Sequence, residues 1–455
     1  MRPVVTVGQM READAAAAVP EEVLVGRAGW AVARSARRML GKTYGARVVV
    51  IAGPGNNGAD GRVAASHLAA RGAQVTVVEA NRLVPRGPWD LVIDAAFGTG
   101  FHGEYRAPER DGVPTLAVDI PSGVEGDTGV AQDGSEIADV TVTFAALKPG
   151  HLLHGGPDRC GAIEVVDIGL DLHGVGTWLV EDDDVRDAVG PVAHESHKWR
   201  SSVVIIAGSP GMHGAAVLAA RGAARAGAGM VRLAIPGAQA DGLPIGEAVA
   251  RALDGDDWHG ALAPDLERSR ALVIGPGLGR RPETIGAVLR LLERTELPAV
   301  VDGDALFALG ESGVQVLRRR QAPTVLTPHD GEFARLAGAP PGARRYDDVR
   351  ALARRSGAIV LAKGSTSIIA APHGAEVLFS ATGDGRLATA GTGDVLAGAI
   401  GAFLAKGLEP LEAAAFAAHV HGAAASTGYE HGFIAGDLPE CIARWLSGAT
   451  MSGDD

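Results

Sequence analysis

Near the C-terminal end of the chain, Gly391-Thr392-Gly393 is followed by Asp394 and then by an Ala/Leu/Val/Ile run that reaches Leu408. Small residues let consecutive backbone N–H groups converge on one point. A helix beginning there adds unsatisfied donors and a positive dipole end, and the combination favours phosphate. A carboxylate beside that phosphate has a use if it takes a proton from the reacting group. An ordinary helix cap uses the same residue types, so this stretch alone supports both readings.

Other stretches carry related chemistry. Lys363 opens Lys363-Gly364-Ser365-Thr366-Ser367, a run of small hydroxyl residues suited to the phosphates of a nucleotide. His329 and Asp330 follow Thr-Pro at a strand end, on a loop before a helix. Lysine is scarce: among 42 basic residues only Lys42, Lys148, Lys198, Lys363 and Lys406 are lysines. An ammonium is a compact point charge that arginine does not always replace at phosphate.

In the first half, Gly53, Gly55 and Gly58 satisfy G-x-G-x-x-G between a strand and a helix, and Glu79 closes the next strand. That is a dinucleotide-binding pattern. The same turn also holds Asn56, Asn57 and Asp60, which a plain pyrophosphate turn does not need, so side chains are expected to contact a ligand or a cation. Asp94 precedes a Gly98-Thr99-Gly100 turn, and Asp119, Ser122 and Asp127 end the next strand. In a parallel sheet such ends gather at one edge. Asn57, Asp94, Asp119 and Ser122 together offer hard oxygens for an alkali or alkaline-earth cation, although each alone is an ordinary turn former.

Two α/β stretches must position these residues. Strand, turn and helix alternate from Arg47; the rhythm lapses between 170 and 195 and then restarts, which places domains at 1–180 and 181–455. The acidic run Glu181–Asp184 reads as solvated surface or a helix start. Gly41-Lys42-Thr43 imitates the end of a P-loop, but Ala36 and a helix precede it where glycine and a strand are required. A length of 455 residues allows two sizeable cores, and a net charge of −12 argues against a general nucleic-acid surface. Cys160 and Cys441 form no disulfide framework or zinc pattern, which fits the cytoplasm. No signal-peptide pattern and no membrane-spanning apolar run is present.

The stretches GPGNNGADGRVAASHL, DLVIDAAFGTGF, AVDIPSGVEGDTG and TVTFAALKPGH resemble the YjeF N-terminal domain, the NAD(P)H-hydrate epimerase family, over roughly residues 1–170. The resemblance implies a Rossmann-like three-layer α/β/α sandwich. It also implies that Asn56, Asn57, Gly58, Ala59, Asp60, the loop Gly98, Thr99, Gly100, Phe101, His102, Gly103 and Glu104, and Asp119 hold a hydrated dinucleotide. Asn57, Asp94 and Ser122 would surround K+, and Asp119 would mediate proton transfer at the epimerised centre.

From about 190 to 448, GSPGMHGAAVLAARGAARAGAG, GPGLG, LTPHDGEFARL, AKGSTS and LATAGTGDVLAG resemble the NAD(P)H-hydrate dehydratase branch of the ribokinase-like superfamily. By that resemblance Ala216, Gly277, His329 and Asp394 contact the hydrated dinucleotide. Lys363, Gly364, Ser365, Thr366, Ser367, Gly391 and Gly393 would hold the adenine nucleotide, with Mg2+ accompanying it. Joined, the halves imply epimerisation of R and S hydrates of NADH and NADPH, followed by nucleotide-dependent dehydration of the S form. Asp394 would take the proton of the ring hydroxyl while the Gly391–Gly393 amides stabilise the transferred phosphoryl group. The resemblance favours ADP as donor, nothing in the Lys363–Ser367 run excludes ATP, and a homo-oligomer is implied. Two other readings stay open: a small-molecule kinase joined to a dinucleotide-binding domain, and an N-terminal half that is a non-catalytic binding or assembly module.

Overall fold

The computed structural model describes all residues except 81, 102, 110–111, 191–196, 238–245, 256, 375 and 449–455, and the side chains of 311–312. The chain forms two compact units, Arg2–Val175 and Gly176–Asp455. Among the described residues no helix is long and apolar enough to cross a membrane.

The first unit contains α1 (Val7–Ala15), α2 (Glu21–Leu40), β1 (Arg47–Ala52), α3 (Asn56–Ala69), β2 (Gln74–Glu79), β3 (Leu91–Ala95), β4 (Thr115–Val118), β5 (Val140–Phe144) and β6 (Ala162–Val166). The strands pair in the order β2-β1-β3-β4-β5-β6, every pair parallel. Near-continuous Val/Ile/Ala strands suit a sheet buried on both faces. Val48, Val50 and Ala52 pack under α2 and α3, while Val49 and Ile51 face the opposite side. There Trp89, Phe97, Phe101 and Tyr105, from connections rather than helices, cover the sheet. The layer expected on that face is thus built largely of coil, because the connection after β2 carries Pro85 and Pro88, which break helical patterns. Gly41 ends α2 at φ +63°, so Gly41-Lys42-Thr43 is a helix terminus. A Cβ on Gly53 would lie 1.8 Å from the Ala96 carbonyl oxygen, so the first glycine of the dinucleotide-like turn is required by packing.

The second unit begins a few residues before position 181, because β7 (Thr177–Leu179) pairs with a strand far along the chain. The acidic run after it caps and opens the helix Asp182–Val189. Then come β8 (Ser202–Ile206), α4 (His213–Arg225), β9 (Met230–Pro236), β10 (Ala248–Leu253), β11 (Ala271–Ile274), β12 (Ala299–Val301) and β13 (Thr324–Leu326). They are followed by α5 (Asp330–Ala337), β14 (Ile359–Ala362), β15 (Ser367–Ala370), β16 (Val377–Ser380), α6 (Thr392–Lys406) and α7 (Pro410–Ala425). The order β7-β16-β15-β14-β13-β12-β11-β8-β9-β10 is parallel except where β15 runs antiparallel to both neighbours. α6 is apolar nearly all round and buried from Val395 to Ala405, as a helix inside a core must be. Small residues let it approach α4 closely: a Cβ on Gly398 would lie 2.0 Å from the Ala219 carbonyl oxygen.

Candidate active sites

In the first unit the C-terminal ends of β1, β3 and β4 and the start of α3 border a cavity of about 970 Å³. Asn56, Asn57, Asp60, Gly98, Thr99, Gly100, Phe101 and Asp119 line it, as do Asp14 and Lys148. Gly58, Ala59, Gly103 and Glu104 are not among its lining residues, and His102 lies outside the described residues.

Asp119 adopts φ +67°, a left-handed conformation rare outside glycine, and its side chain is fixed from several directions. Lys148 Nζ donates to Asp119 Oδ1 at 2.7 Å, Thr143 Oγ1 to the same oxygen at 3.0 Å, and the Thr99 N–H to Oδ2 at 3.3 Å. Lys148 is 1% exposed. Its three hydrogens meet Asp119, Thr143 Oγ1 at 2.7 Å and the Phe144 carbonyl at 3.3 Å, so the ammonium is saturated. Burial works to raise the Asp119 carboxyl, but the ammonium against it brings it down to about 2. His151 accepts the Lys148 N–H at Nδ1 (3.0 Å) and donates from Nε2 to the Asp119 carbonyl (2.8 Å). Burial, then Lys148, holds its imidazole down at about 4.

The remaining carboxyls of this cavity go the other way. Burial, reinforced by Asp119 and Asp14, pushes Asp60 up to about 8, and burial also raises Asp14. One carboxylate held ionised beside one held neutral is an arrangement with acid and electrostatic roles already separated.

Asp94 and Ser122 lie behind this cavity. The Ser122 N–H and Oγ–H donate to Asp94 at 2.8 and 2.7 Å, and the Ala96 N–H donates at 3.2 Å. Asn57 and Asp119 both border Gly98, where a Cβ would lie 3.3 Å from Asn57 Oδ1 and 3.2 Å from Asp119 Oδ2.

In the second unit, α6 starts at the tip of the Gly391-Thr392-Gly393 turn, with Gly391 at φ +97°. Of the first-turn amides, Thr392 N–H donates to Thr389 O at 3.4 Å, and Asp394 and Val395 N–H to Gly391 O at 3.1 and 3.3 Å. Among the described residues the Gly393 N–H has no acceptor, and a Cβ on Gly393 would lie 3.5 Å from Lys363 Nζ. An unsatisfied amide at a helix N-terminus beside an ammonium is an anion site.

Lys363 leaves β14 with its own N–H bonded to Pro328 O at 2.9 Å, which ties its loop to the Thr327–Asp330 loop. Its Nζ donates to Asp302 Oδ1 at 2.9 Å and stands 3.9 Å from Glu332. Burial works to lower the ammonium, but Asp302 and Glu332 outweigh it and hold it above its ordinary value. Asp302 also accepts from Thr327 Oγ1 at 2.7 Å. Asp394, in the first turn of α6, is pushed up to about 7 by burial and then by Asp302, against the pull of Lys363.

The other expected residues fall around this centre. His329 caps α5: its Nδ1 accepts from the Gly331 N–H at 3.0 Å, and Glu332 Oε2 accepts from the His329 N–H at 2.9 Å, leaving the ring exposed. Asp330 is ion-paired with Arg345, which also donates to the Lys363 carbonyl at 2.8 Å. The carbonyl of Gly277 accepts from Ser209 Oγ at 2.9 Å, and Ala216 is fully buried against the Gly208 turn. Thr366 is buried and Ser367 begins β15.

Residues 203–446 match the family model described as NAD(P)H-hydrate dehydratase, and 21–86 with 78–150 match the one described as YjeF-related protein N-terminus. A protein of Mycobacterium leprae named bifunctional NAD(P)H-hydrate repair enzyme Nnr is 38% identical, with 98% of each chain covered. Its namesake in Salinibacter ruber is 36% identical over 97% of this chain and 96% of its own. This chain belongs to the bifunctional NAD(P)H-hydrate repair enzyme family.

Among solved structures, the second unit is similar to the ADP/ATP-dependent NAD(P)H-hydrate dehydratase of Bacillus subtilis co-crystallised with ATP and Mg2+. The two are 30% identical with a TM-score of 0.50, covering 59% of this chain and 98% of that one. A ribokinase-like protein of Enterococcus faecalis, 22% identical with a TM-score of 0.51 over 62% of this chain and 99% of its own, shares the fold.

The family's two-part organisation matches the two clusters, and it directs attention to residues that sequence reasoning passed over. Lys148 and His151 were visible in the TVTFAALKPGH stretch without a role. Asp302, Glu332 and Thr327 gave no spacing signal, because only the parallel sheet brings their strand ends together. Among the described residues no group of three or more His, Cys, Asp or Glu is arranged to hold a metal. A potassium site needs only hard oxygens, however, and the Asn57 Nδ2 is buried without a hydrogen-bond partner. Exchanging the amide's oxygen and nitrogen, which the network leaves free, turns that orphaned donor into an acceptor, so Asn57 fits an oxygen-seeking cation. In the second unit burial, and then the nearby charges of Asp302, Asp304 and Glu332, push the Asp394 carboxyl up against the single ammonium of Lys363, and burial with Asp302 does the same to Glu332. That excess of negative charge fits a divalent cation arriving with a polyphosphate.

Proposed function

We propose that this chain repairs hydrated NADH and NADPH, the first unit interconverting the R and S hydrates and the second dehydrating the S form with ADP as phosphoryl donor. The observation that carries the reading is Asp394, a carboxyl tuned to about 7, set beside a helix N-terminus with a free amide and an ammonium.

Hydroxide leaves poorly at neutral pH, and phosphate leaves well. Asp394 takes the proton of the ring hydroxyl as its oxygen attacks the terminal phosphoryl group of ADP, releasing AMP. The Gly393 N–H and Lys363 bind the charge on that group while it transfers. The ring nitrogen's electron pair then expels phosphate from the neighbouring carbon, and loss of a proton from the next carbon restores the double bond. Magnesium would enter with the nucleotide and neutralise its phosphates, with Asp302 and Glu332 holding it.

In the first unit the proton transfer expected of Asp119 passes to Asp60: the Asp119 carboxyl, held at about 2, carries no proton at pH 7, whereas Asp60, pushed up to about 8, keeps one and donates it to the departing hydroxyl. The ionised Asp119 faces the positive charge that the ring nitrogen takes on, and water returning from either side, its surplus proton going back to the Asp60 carboxylate, exchanges the epimers. Lys148 and His151 keep Asp119 charged and oriented. Potassium held by Asn57, Asp94 and Ser122 would add a fixed positive charge at the cavity's edge. Cys160 and Cys441 are free and buried, which supports a reducing cytoplasmic setting.

The test is recovery of reduced-nicotinamide absorbance from a mixture of both hydrate epimers, with ADP or ATP, using the full chain. Complete recovery that requires a nucleotide supports the reading. No recovery with either nucleotide overturns it, and recovery with ATP alone overturns the assignment of ADP.

A further inference from the structure

His421, on α7, belongs to neither cluster described above. Its Nε2 lies 2.9 Å from the Thr392 carbonyl oxygen, inside the core. A carbonyl can only accept, so Nε2 carries the hydrogen and donates it. Burial pushes the imidazole down to about 4 against the opposing effect of that bond, and the ring is neutral around pH 7. A buried imidazole costs desolvation that leucine would avoid, so the bond it makes is the feature to explain.

The Thr392 carbonyl and the Gly393 N–H belong to one peptide unit. A planar trans peptide points them in opposite directions, so fixing the carbonyl aims the amide. A hydrogen bond donated to the carbonyl also draws charge through the amide and strengthens its N–H as a donor. The Gly393 N–H is the first-turn amide left without an acceptor among the described residues, and it borders Lys363. We propose that His421 is a positioning residue of the phosphoryl-transfer site, aiming and polarising the Gly393 amide toward a nucleotide phosphate that the imidazole itself does not touch. The choice of ligand rests on the nucleotide-dependent reading of this site.

The test uses the full-length chain and the variants His421→Leu and His421→Gln. A glutamine amide nitrogen reaches the place of Nε2 and donates; leucine fills similar volume without a donor. ADP binding is measured by calorimetry with no hydrate present, and dehydration is measured separately. Since a whole transition-state donor is worth about 10²–10³ in rate, weakening one by depolarisation predicts a loss of about tenfold in kcat for His421→Leu. ADP affinity falls about tenfold in the same variant, the KM for the hydrate stays within about twofold, and His421→Gln stays within about threefold of wild type throughout. If the leucine variant does not fold, His421→Asn, whose amide is too short to reach Thr392, takes its place. Equal ADP affinity in all variants overturns the proposal, as does a glutamine variant as impaired as the one lacking a donor. A wild-type chain that binds ADP in this His421-dependent way but dehydrates nothing sinks the hydrate-repair reading and leaves the positioning role standing.

Discussion

Lys148 and Lys363 each donate to an aspartate at nearly the same distance, 2.7 and 2.9 Å, in different units of one chain. Their surroundings divide them. Lys148 is enclosed and all three of its hydrogens are engaged, so it acts as a fixed charge that keeps Asp119 ionised. The Lys363 side chain is 22% exposed, and among the described residues the one hydrogen bond of its ammonium goes to Asp302. Its other hydrogens are available to a phosphate. Beside each pair lies a second carboxyl driven upward, Asp60 to about 8 and Asp394 to about 7. A lysine–aspartate contact is therefore uninformative by itself; how many of the ammonium's hydrogens are already engaged tells a structural charge from a ligand-binding one.

The sharpest way to break this comparison is at the acids. Asp394→Asn removes the proposed general base and is predicted to lower the dehydration rate by about 10³, within the range such groups supply. ADP binding measured by calorimetry stays near wild type; a variant that keeps most of its turnover contradicts the role. The lysines come next. Lys148→Met leaves a mostly buried Asp119 charge without its partner and destabilises the first unit by about 3 kcal/mol. Lys363→Met likewise strips the ammonium from a buried carboxylate, Asp302, and costs a comparable amount of stability, but it also weakens ADP binding, which Lys148→Met leaves unchanged. ADP calorimetry of both variants decides: equal losses of ADP affinity would erase the distinction between the two lysines.

Two pH effects sharpen it further. With Asp394 as the proposed base, dehydration is predicted to need its ionised form, so kcat falls about tenfold per unit as pH drops below the value near 7. A profile flat from pH 5 to 8 would remove Asp394 from the proton transfer. Asp60 acts on stability. Its folded value, about 8, lies above the ordinary 3.8, so between these the unfolded chain has lost a proton that the folded chain keeps. Stability is full below about 4 and declines as pH rises toward 8, by at most about 1.4 kcal/mol per unit. Asp60→Asn flattens that slope, which thermal unfolding across the range measures.

Much of the architecture was legible in the sequence because strand ends carrying Gly, Asp, His or Lys repeat in both halves, and parallel sheets collect such ends at one edge. The Gly391–Asp394 turn was legible for the same reason: glycine, a helix start and an acid are adjacent in the chain. The start of the second unit at Gly176 was harder, since β7 pairs with β16, roughly 200 residues further on. The glycine pattern Gly53-x-Gly55-x-x-Gly58 suggested a pyrophosphate turn, whereas Gly53 is needed where the turn crosses the Ala96 carbonyl. The roles of Lys148 and Asp302 were not legible because they depend on partners distant in sequence. His329 read as a ligand-facing residue, and it also caps α5 through Nδ1 while its ring stays exposed, a second role that a single residue does not announce.

The most direct test of a two-step repair enzyme mixes two single variants, Asp119→Asn and Asp394→Asn, with both hydrate epimers and ADP, and follows reduced-nicotinamide absorbance. Asp394→Asn alone is predicted to recover almost nothing, and Asp119→Asn alone to stall once one epimer is used. Together they are predicted to reach the complete recovery of the wild-type chain, because each supplies the unit the other lacks. A mixture that stalls where Asp119→Asn stalls alone would contradict the account.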